Sequence, residues 1–397
     1  MNNILPICDN VSYIGVNDRS KARFENLWPL PYGVSYNSYL VSGSDRRALI
    51  DTVEADFIAN FKHNLEINGD IAPDYLVVNH MEPDHSGSIP AIIEAFPSIR
   101  IVGNRQTIGM IGGFYGITDP ERFIEVKDGD SLDLGGLTLK FYLTPMVHWP
   151  ETMMTYIEER GVLFSGDAFG CFGALNGAVM DSKMDTSWYF PEMERYYSNI
   201  VGKYGRFVQR ALAKLKPLKL DYICSTHGPV WHEKLRQVID LYDRLSRYEA
   251  EEGVVIIYGS MYGNTEKVAE EFARQLADNG IRKIRVHNAA KAELSDMIAD
   301  VFRYKGLIVG APTYSMHLFP PVEDFMIAME TRELQNRAFM SFGSYTWSSV
   351  VQPSMDSFTE KMKLPSLGHF DIKQALTPEG VKTIAELARK MAETIKD

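Results

Sequence analysis

The chain has 397 residues, 45% of them apolar and 23% charged, with a formal net charge of −11. That acidic balance, without a Lys/Arg cluster, excludes a general nucleic-acid binder. Three cysteines, Cys8, Cys171 and Cys224, with no CxxC pair, exclude a disulfide framework, a cysteine-ligated iron–sulfur cluster and an iron–tetracysteine module, and fit a reducing cytosol.

At roughly 100 to 200 residues per domain, two domains are expected. The first residues, MNNILPICDN, carry no basic region, and no apolar run approaches the ~20 residues that cross a bilayer. The expectation is therefore a cytoplasmic protein with no membrane partner.

Short β-branched and apolar runs predict strands at Ser38–Leu40, Ala48–Thr52, Tyr75–Asn79, Arg100–Gly103, Phe123–Val126, Thr138–Leu143, Met153–Ile157, Val162–Ser165 and Tyr222–Ser225. Asp128-Gly129 and Gly135-Gly136 mark turns between them. Helical spacing appears at Val53–Gly69, Ser88–Phe96, Glu192–Leu215 and Glu233–Glu251. Many strands with helices outside suggest two sheets sandwiched by helices. Near Glu251-Glu252-Gly253 the pattern changes, which sets domains at 1–250 and 251–397. Strands Val254–Tyr258, Lys283–Asn288, Gly306–Gly310, Ala338–Phe342 and Leu367–Ile372 then alternate with helices Thr265–Asn279, Ser295–Arg303, Val322–Thr331, Ser348–Lys363 and Pro378–Lys396. That alternation predicts a doubly wound parallel sheet.

The stretch Asn79–Gly87, NHMEPDHSG, packs His80, Glu82, Asp84 and His85 into six residues between a strand and a helix. In an extended loop, alternate residues share a side, so His80, Glu82 and Asp84 fall together and His85 joins as the helix begins, with Ser86 or Ser88 as its cap. His148, Asp167 and His227 each follow a later strand in a small-residue turn. Without a cation such a cluster would be costly to desolvate. Seven ligands exceed the needs of one ion with an open position and suit two, with Asp167 placed to bridge. His63, His232, His287 and His369 read as ordinary core or surface residues. Tyr196 and Tyr197 lie on a helix that could overhang the site; either both pack the core or one bonds a small substrate.

In the second domain, Gly259-Ser-Met-Tyr-Gly-Asn-Thr265 follows the first strand and opens a helix. Its backbone N–H groups, with Ser260, Asn264 and Thr265, suit a phosphate. Ala311-Pro-Thr-Tyr-Ser-Met-His317 and Gly343-Ser-Tyr-Thr-Trp-Ser-Ser349 lie at the ends of two more strands, where doubly wound sheets bind ligands. Tyr314, Tyr345 and Trp347 offer flat faces to a planar ring.

The seven metal-binding positions resemble the metallo-β-lactamase signature His-x-His-x-Asp-His with a later His, Asp and His, except that Glu82 replaces the second histidine. The added carboxylate hardens the site toward iron. With His148-Trp-Pro-Glu-Thr152 and the flavodoxin-like second half, the whole chain resembles the flavodiiron proteins. The resemblance implies an N-terminal αββα metallo-β-lactamase-like sandwich and a C-terminal flavodoxin-like sheet. It implies one iron on His80, Glu82 and His148, a second on Asp84, His85 and His227, and Asp167 bridging. It further implies FMN held by Ser260, Met261, Tyr262, Gly263, Asn264, Thr265, Pro312, Thr313, Tyr314, Ser315, Ser344, Tyr345, Thr346 and Trp347. Thr346 and Ser349 depart from the glycines common in flavodoxin.

The activity so implied is reduction of O2 to water, of NO to N2O, or both. Electrons would pass through FMN from an external donor such as rubredoxin or a reduced deazaflavin. A head-to-tail homodimer, or a dimer of dimers, would set one subunit's FMN against the other's iron. The rival readings are a dinuclear zinc hydrolase with an accessory flavodoxin-like domain, which Glu82 opposes, and a pure electron-transfer module.

Overall fold

A computed structural model describes residues 5–67 and 72–396 of the chain. The described residues fall into two compact units, one running to Tyr197 and taking in Tyr204–Ser246, the other comprising Ser198–Lys203 and the chain from Arg247 onward.

In the first unit a mixed seven-stranded sheet runs in the spatial order Leu5–Cys8, Val11–Tyr13, Tyr39–Ser42, Arg47–Ile50, Tyr75–Val77, Arg100–Gly103 and Phe123–Glu125. A five-stranded sheet follows as Ser131–Asp133, Thr138–Leu143, Met153–Ile157, Val162–Gly166 and Tyr222–Ser225. The two sheets share one core: Val41, Ile50, Val77 and Val102 from the first meet Phe141, Met153, Ile157 and Phe164 from the second. The alternation of buried and half-buried residues along Thr138–Leu143 reflects a strand with one face in that core. This is the expected two-sheet sandwich, with more strands than the pattern revealed. Leu5–Cys8 and Val11–Tyr13 are too short and too interrupted to show a period.

Helix Arg105–Tyr115, which periodicity did not predict, packs against the strands Arg100–Gly103 and Phe123–Glu125. Gly109, Gly112 and Gly113 lower its intrinsic propensity. It forms because its ends are tied. Asn104 Oδ1 accepts from Gln106 N at 3.0 Å and Thr107 N at 3.1 Å, and Gly116 ends it at φ 68°.

Three expected helices are altered. Val53–Gly69 becomes a 3-10 turn Ala55–Phe57 and a helix Ile58–Ile67, with residues 68 and 69 outside the described ones. Glu192–Leu215 divides into helices Tyr189–Tyr196 and Gly205–Leu215, joined by a π-turn Tyr197–Val201 and a 3-10 turn Gly202–Tyr204. Glu233–Glu251 shrinks to Leu235–Ser246.

The second unit is the expected doubly wound parallel sheet, ordered Ile284–Asn288, Glu251–Tyr258, Tyr304–Tyr314, Ala338–Tyr345 and Ser366–Lys373. Its central strands are buried on both faces and read as apolar runs. Helices Asn264–Asp278 and Pro378–Lys396 supply Phe272, Leu276, Ile384 and Met391 to its core. The strand expected at Gly306–Gly310 extends to Tyr314 and turns back through His317–Leu318. The second of the three suspected binding loops is thus a tight hairpin, with Ser315 and Met316 at positive φ.

Candidate metal and flavin sites

The strand Tyr75–Val77 delivers the chain to the first site, and Asn79 locks its exit. Asn79 donates from its backbone N to Asp51 Oδ1 at 2.7 Å and from Nδ2 to Asp51 Oδ2 at 3.0 Å, and Thr155 Oγ1 donates to Asn79 Oδ1 at 2.7 Å. The helix begins earlier than expected: Glu82 is its N-cap, Pro83 its first residue, and Pro83–Ser86 one turn carrying Asp84 and His85. Ser88 precedes the next helix without a side-chain cap bond. Ser86 Oγ donates instead to Met81 O at 2.8 Å and closes the ligand loop on itself.

All seven predicted positions come together, and none is more than 8% exposed. They form two groups, His80, Glu82, His148 and Asp167 in one and Asp84, His85 and His227 in the other. In the first, Glu82 Oε2 lies 3.3 Å from His80 Nε2 and 3.1 Å from His148 Nε2. In the second, Asp84 Oδ2 lies 3.3 Å from Nε2 of both His85 and His227. Asp167 touches both, with Oδ2 3.0 Å from His148 Nε2 and Oδ1 2.9 Å from His85 Nε2.

The donor set fits a pair of cations. Both oxygens of Asp84 and Nε2 of His227 are buried with no hydrogen-bond partner, an arrangement that costs several kcal/mol unless a cation meets them. Burial alone would push the Asp167 carboxyl up, yet His85, His80 and His148 hold it well below the usual carboxylate range. Burial likewise opposes charge on His85, but Asp84 and Asp167 outweigh it and push that ring up to about 9. The cluster is built for positive charge among carboxylates, which divalent ions supply to neutral imidazole and ionised carboxylate.

Further residues aim the ligands. His80 Nδ1 lies 2.8 Å from Glu151 Oε1, and His227 Nδ1 lies 2.7 Å from Ser35 O. Each acceptor fixes the tautomer that leaves Nε2 free for a metal. Thr226 Oγ1 donates to Asp167 Oδ1 at 2.6 Å. Sequence reasoning passed over these three. Glu151 alone carried a signal, as an acid three residues beyond a ligand histidine. Phe24 and Tyr36 set their rings 5.3 and 5.9 Å from that of His227. The predicted pair of tyrosines separates. The Tyr196 ring lies 5.5 Å from that of His227, its buried hydroxyl without a partner, while Tyr197 sets its ring edge-on to Tyr242 at 5.0 Å.

In the second unit the three predicted loops line one cavity of about 450 Å³. Met316, Ser348 and Gln374 also line it and were not predicted. Gly263, at φ 89°, turns the chain into helix Asn264–Asp278, and its N–H donates to Ser260 Oγ at 3.0 Å. Thr265 and Ser344 share a hydroxyl hydrogen bond of 2.8 Å that ties the first loop to the third. No Lys, Arg, Asp or Glu occurs in the three loops, so an anion there relies on N–H and hydroxyl donors at the helix start. Tyr262 and Trp347 are 90% and 86% exposed, leaving their faces open to a planar ring. The cavity fits a flavin mononucleotide in both parts.

Residues 34–228 match the family model described as ODP family beta lactamase, and residues 256–374 match Flavodoxin. Anaerobic nitric oxide reductase flavorubredoxin of Escherichia coli is 33% identical over 347 residues, covering 86% of this chain and 72% of that protein. Rubredoxin oxygen:oxidoreductase from Desulfovibrio gigas superposes with a TM-score of 0.94 at 26% identity, over 99% of both chains. A flavoprotein from Thermotoga maritima superposes at 0.91, with 26% identity over 98% of both.

Proposed function

This chain belongs to the flavodiiron proteins, and we propose that its residues divide the work of an O2- or NO-reducing oxidoreductase between the two sites described above. Its cofactors are FMN and a non-haem diiron centre. When bound, these accept electrons from outside and deliver them to O2, giving water, or to NO, giving N2O, which no side chain can do by itself.

The observation that carries the residue assignment is Asp167, whose two oxygens face different groups of buried ligands. On this reading His80, Glu82 and His148 hold one iron, and Asp84, His85 and His227 the other. Asp167 spans them. Glu151 and the Ser35 carbonyl keep two of the rings turned inward. The rings of Phe24 and Tyr36 pack against that of His227, and Phe172 backs Phe24 and Tyr196. Tyr196, beside His227, is the hydroxyl that would donate to a small substrate at this centre; Tyr197 packs. The three loops would hold FMN, with the donors at the start of Asn264–Asp278 suited to its phosphate and the loop aromatics to its ring.

A separate donor, rubredoxin or a reduced deazaflavin, supplies the electrons. The exposed rings of Tyr262 and Trp347 support a head-to-tail homodimer, or a dimer of such dimers, in which one copy's flavin mouth meets the other's metal centre. The chain works in the cytoplasm, with its metal domain at residues 1–250 and its flavin domain at 251–397. A zinc hydrolase is not favoured: both similar proteins named for an activity are oxidoreductases, and Glu82 hardens the site.

Anaerobic purification with joint metal and flavin analysis tests this reading. About two irons and one FMN per chain are expected, with O2 or NO consumed when a reduced donor is added. Two zincs per chain after growth in iron-replete medium, with no gas consumption after iron loading, would overturn it.

A further inference from the structure

A polar row in the second unit belongs to neither cofactor site. Ser341 on the strand Ala338–Tyr345 lies 2.7 Å, Oγ to Nδ1, from His369 on the neighbouring strand Ser366–Lys373. Nε2 of the same ring lies 2.9 Å from Oδ1 of Asp371. The carboxylate only accepts, so Nε2–H donates to it and Nδ1 accepts from the Ser341 hydroxyl. The register of the two parallel strands sets Ser341 beside His369 and Gly343 beside Asp371.

Serine, histidine and aspartate in a row have the composition of a hydrolytic triad. The setting excludes that use, because Ser341 is only 2% exposed and no substrate reaches its hydroxyl. The row leads instead to the third flavin loop. The Ser349 side chain, at the far end of Gly343–Ser349, also favours the ionised form of Asp371. At the near end, Gly343 has no room for a side chain, because the Asp371 carboxylate and Val351 fill that space. One carboxylate therefore fills the space at the near end of the loop and is stabilised from its far end. Between them, Ser344, Tyr345, Thr346, Trp347 and Ser348 line the flavin cavity. Burial would raise the Asp371 pKa, but the bonds from His369 and Ser349 outweigh it and lower it. The loop is thus anchored on a charge.

We propose that Ser341, His369 and Asp371 are positioning residues for the flavin, fixing the shape of the third loop and through it the affinity and reduction potential of bound FMN. The physical basis is that oxidised and reduced flavin differ in the hydrogen bonds they make, so a loop held in one shape favours one redox state over the other. The inference rests on the FMN reading of the cavity and is independent of the iron site.

The test uses the full-length FMN-loaded protein, measuring FMN dissociation and flavin midpoint potential. Asp371→Ala is expected to weaken FMN binding about tenfold and to shift the potential, with iron content unchanged. His369→Phe, which keeps a ring but loses the donor, should act in the same direction, and His369→Gln, which donates again, should restore most of the loss. Ser349→Ala removes only the far-end influence on Asp371, on a half-buried loop, and so remains informative if Asp371→Ala misfolds. It should weaken FMN about threefold and add little when combined with Asp371→Ala, because both act through one contact. Unchanged affinity and potential in Ser349→Ala and His369→Phe, or fully additive losses in the double variant, would overturn the proposal. A wild-type chain that binds no FMN would instead overturn the flavin reading.

Discussion

Glu151 holds His80 from behind, accepting from Nδ1 of the ring at 2.8 Å while Nε2 of that ring faces Glu82 and Asp167. Both residues are fully buried, and the same Glu151 oxygen accepts from Met81 N at 2.9 Å. The carboxylate thereby fixes both the ring and the loop that carries it. Replacing Glu151 by alanine leaves a buried N–H without an acceptor. Metal affinity should fall roughly 10- to 100-fold, as for other second-layer carboxylates, and Glu151→Gln, which keeps an acceptor, should lose less. Competition with a calibrated chelator reads the difference, and unchanged affinity in both variants would refute the role.

Among the described residues, Asp167 is the one carboxylate that contacts histidines of both ligand groups. Asp167→Ala should reduce the metal content from about two ions per chain to one or none, because each group loses an oxygen at once. FMN content should not change. Two retained ions would show that the groups do not depend on a shared carboxylate.

Metal removal should destabilise the chain. A ligand present at about a thousand times its dissociation constant adds ~4 kcal/mol, and for a unit of this size each kcal/mol corresponds to about 2–4 °C. Chelation should therefore lower the unfolding temperature by about 10 °C, recovered on adding ferrous iron under anaerobic conditions. An unchanged melting curve would mean that the buried cluster holds no metal.

Tyr196→Phe separates packing from chemistry. The hydroxyl is buried without a partner, so its loss should leave stability unchanged or slightly raised. Metal content should stay constant. Turnover of O2 or NO should drop about fivefold, the worth of one hydrogen bond. Full turnover would make Tyr196 a packing residue, like Tyr197.

Gly263 sits at φ 89° where the phosphate loop becomes a helix. Gly263→Ala brings a side chain into that left-handed backbone at a cost of about 1 kcal/mol or more. FMN affinity should fall at least about fivefold while iron loading is unaffected. Equal affinity would place the phosphate elsewhere.

The seven candidate ligands were legible because their types are unusual and each follows a strand. His148, Asp167 and His227 needed no knowledge of pairing, only that strand ends converge on one edge. Helix Arg105–Tyr115 was hidden by its glycines, since it depends on Asn104 capping and on packing rather than on propensity. The π-turn at Tyr197–Val201 was equally hidden, because a helical period continues across it. The neighbouring rings of Tyr196 and Tyr197 go to different partners, as successive residues of a helix do not share a face.

By itself the sequence determined the two-part α/β architecture and the residue types gathered at strand ends, because periodicity and residue chemistry are local properties of a chain; the cofactors followed from the family resemblance. Only the tertiary structure decided which carboxylate oxygen faces which histidine, that Glu151 rather than a neighbour fixes His80, and that Asp371 fills the space beside Gly343. Those relations join residues tens of positions apart through hydrogen bonds about 3 Å long. A displacement of one ångström would break them without altering any pattern in the sequence.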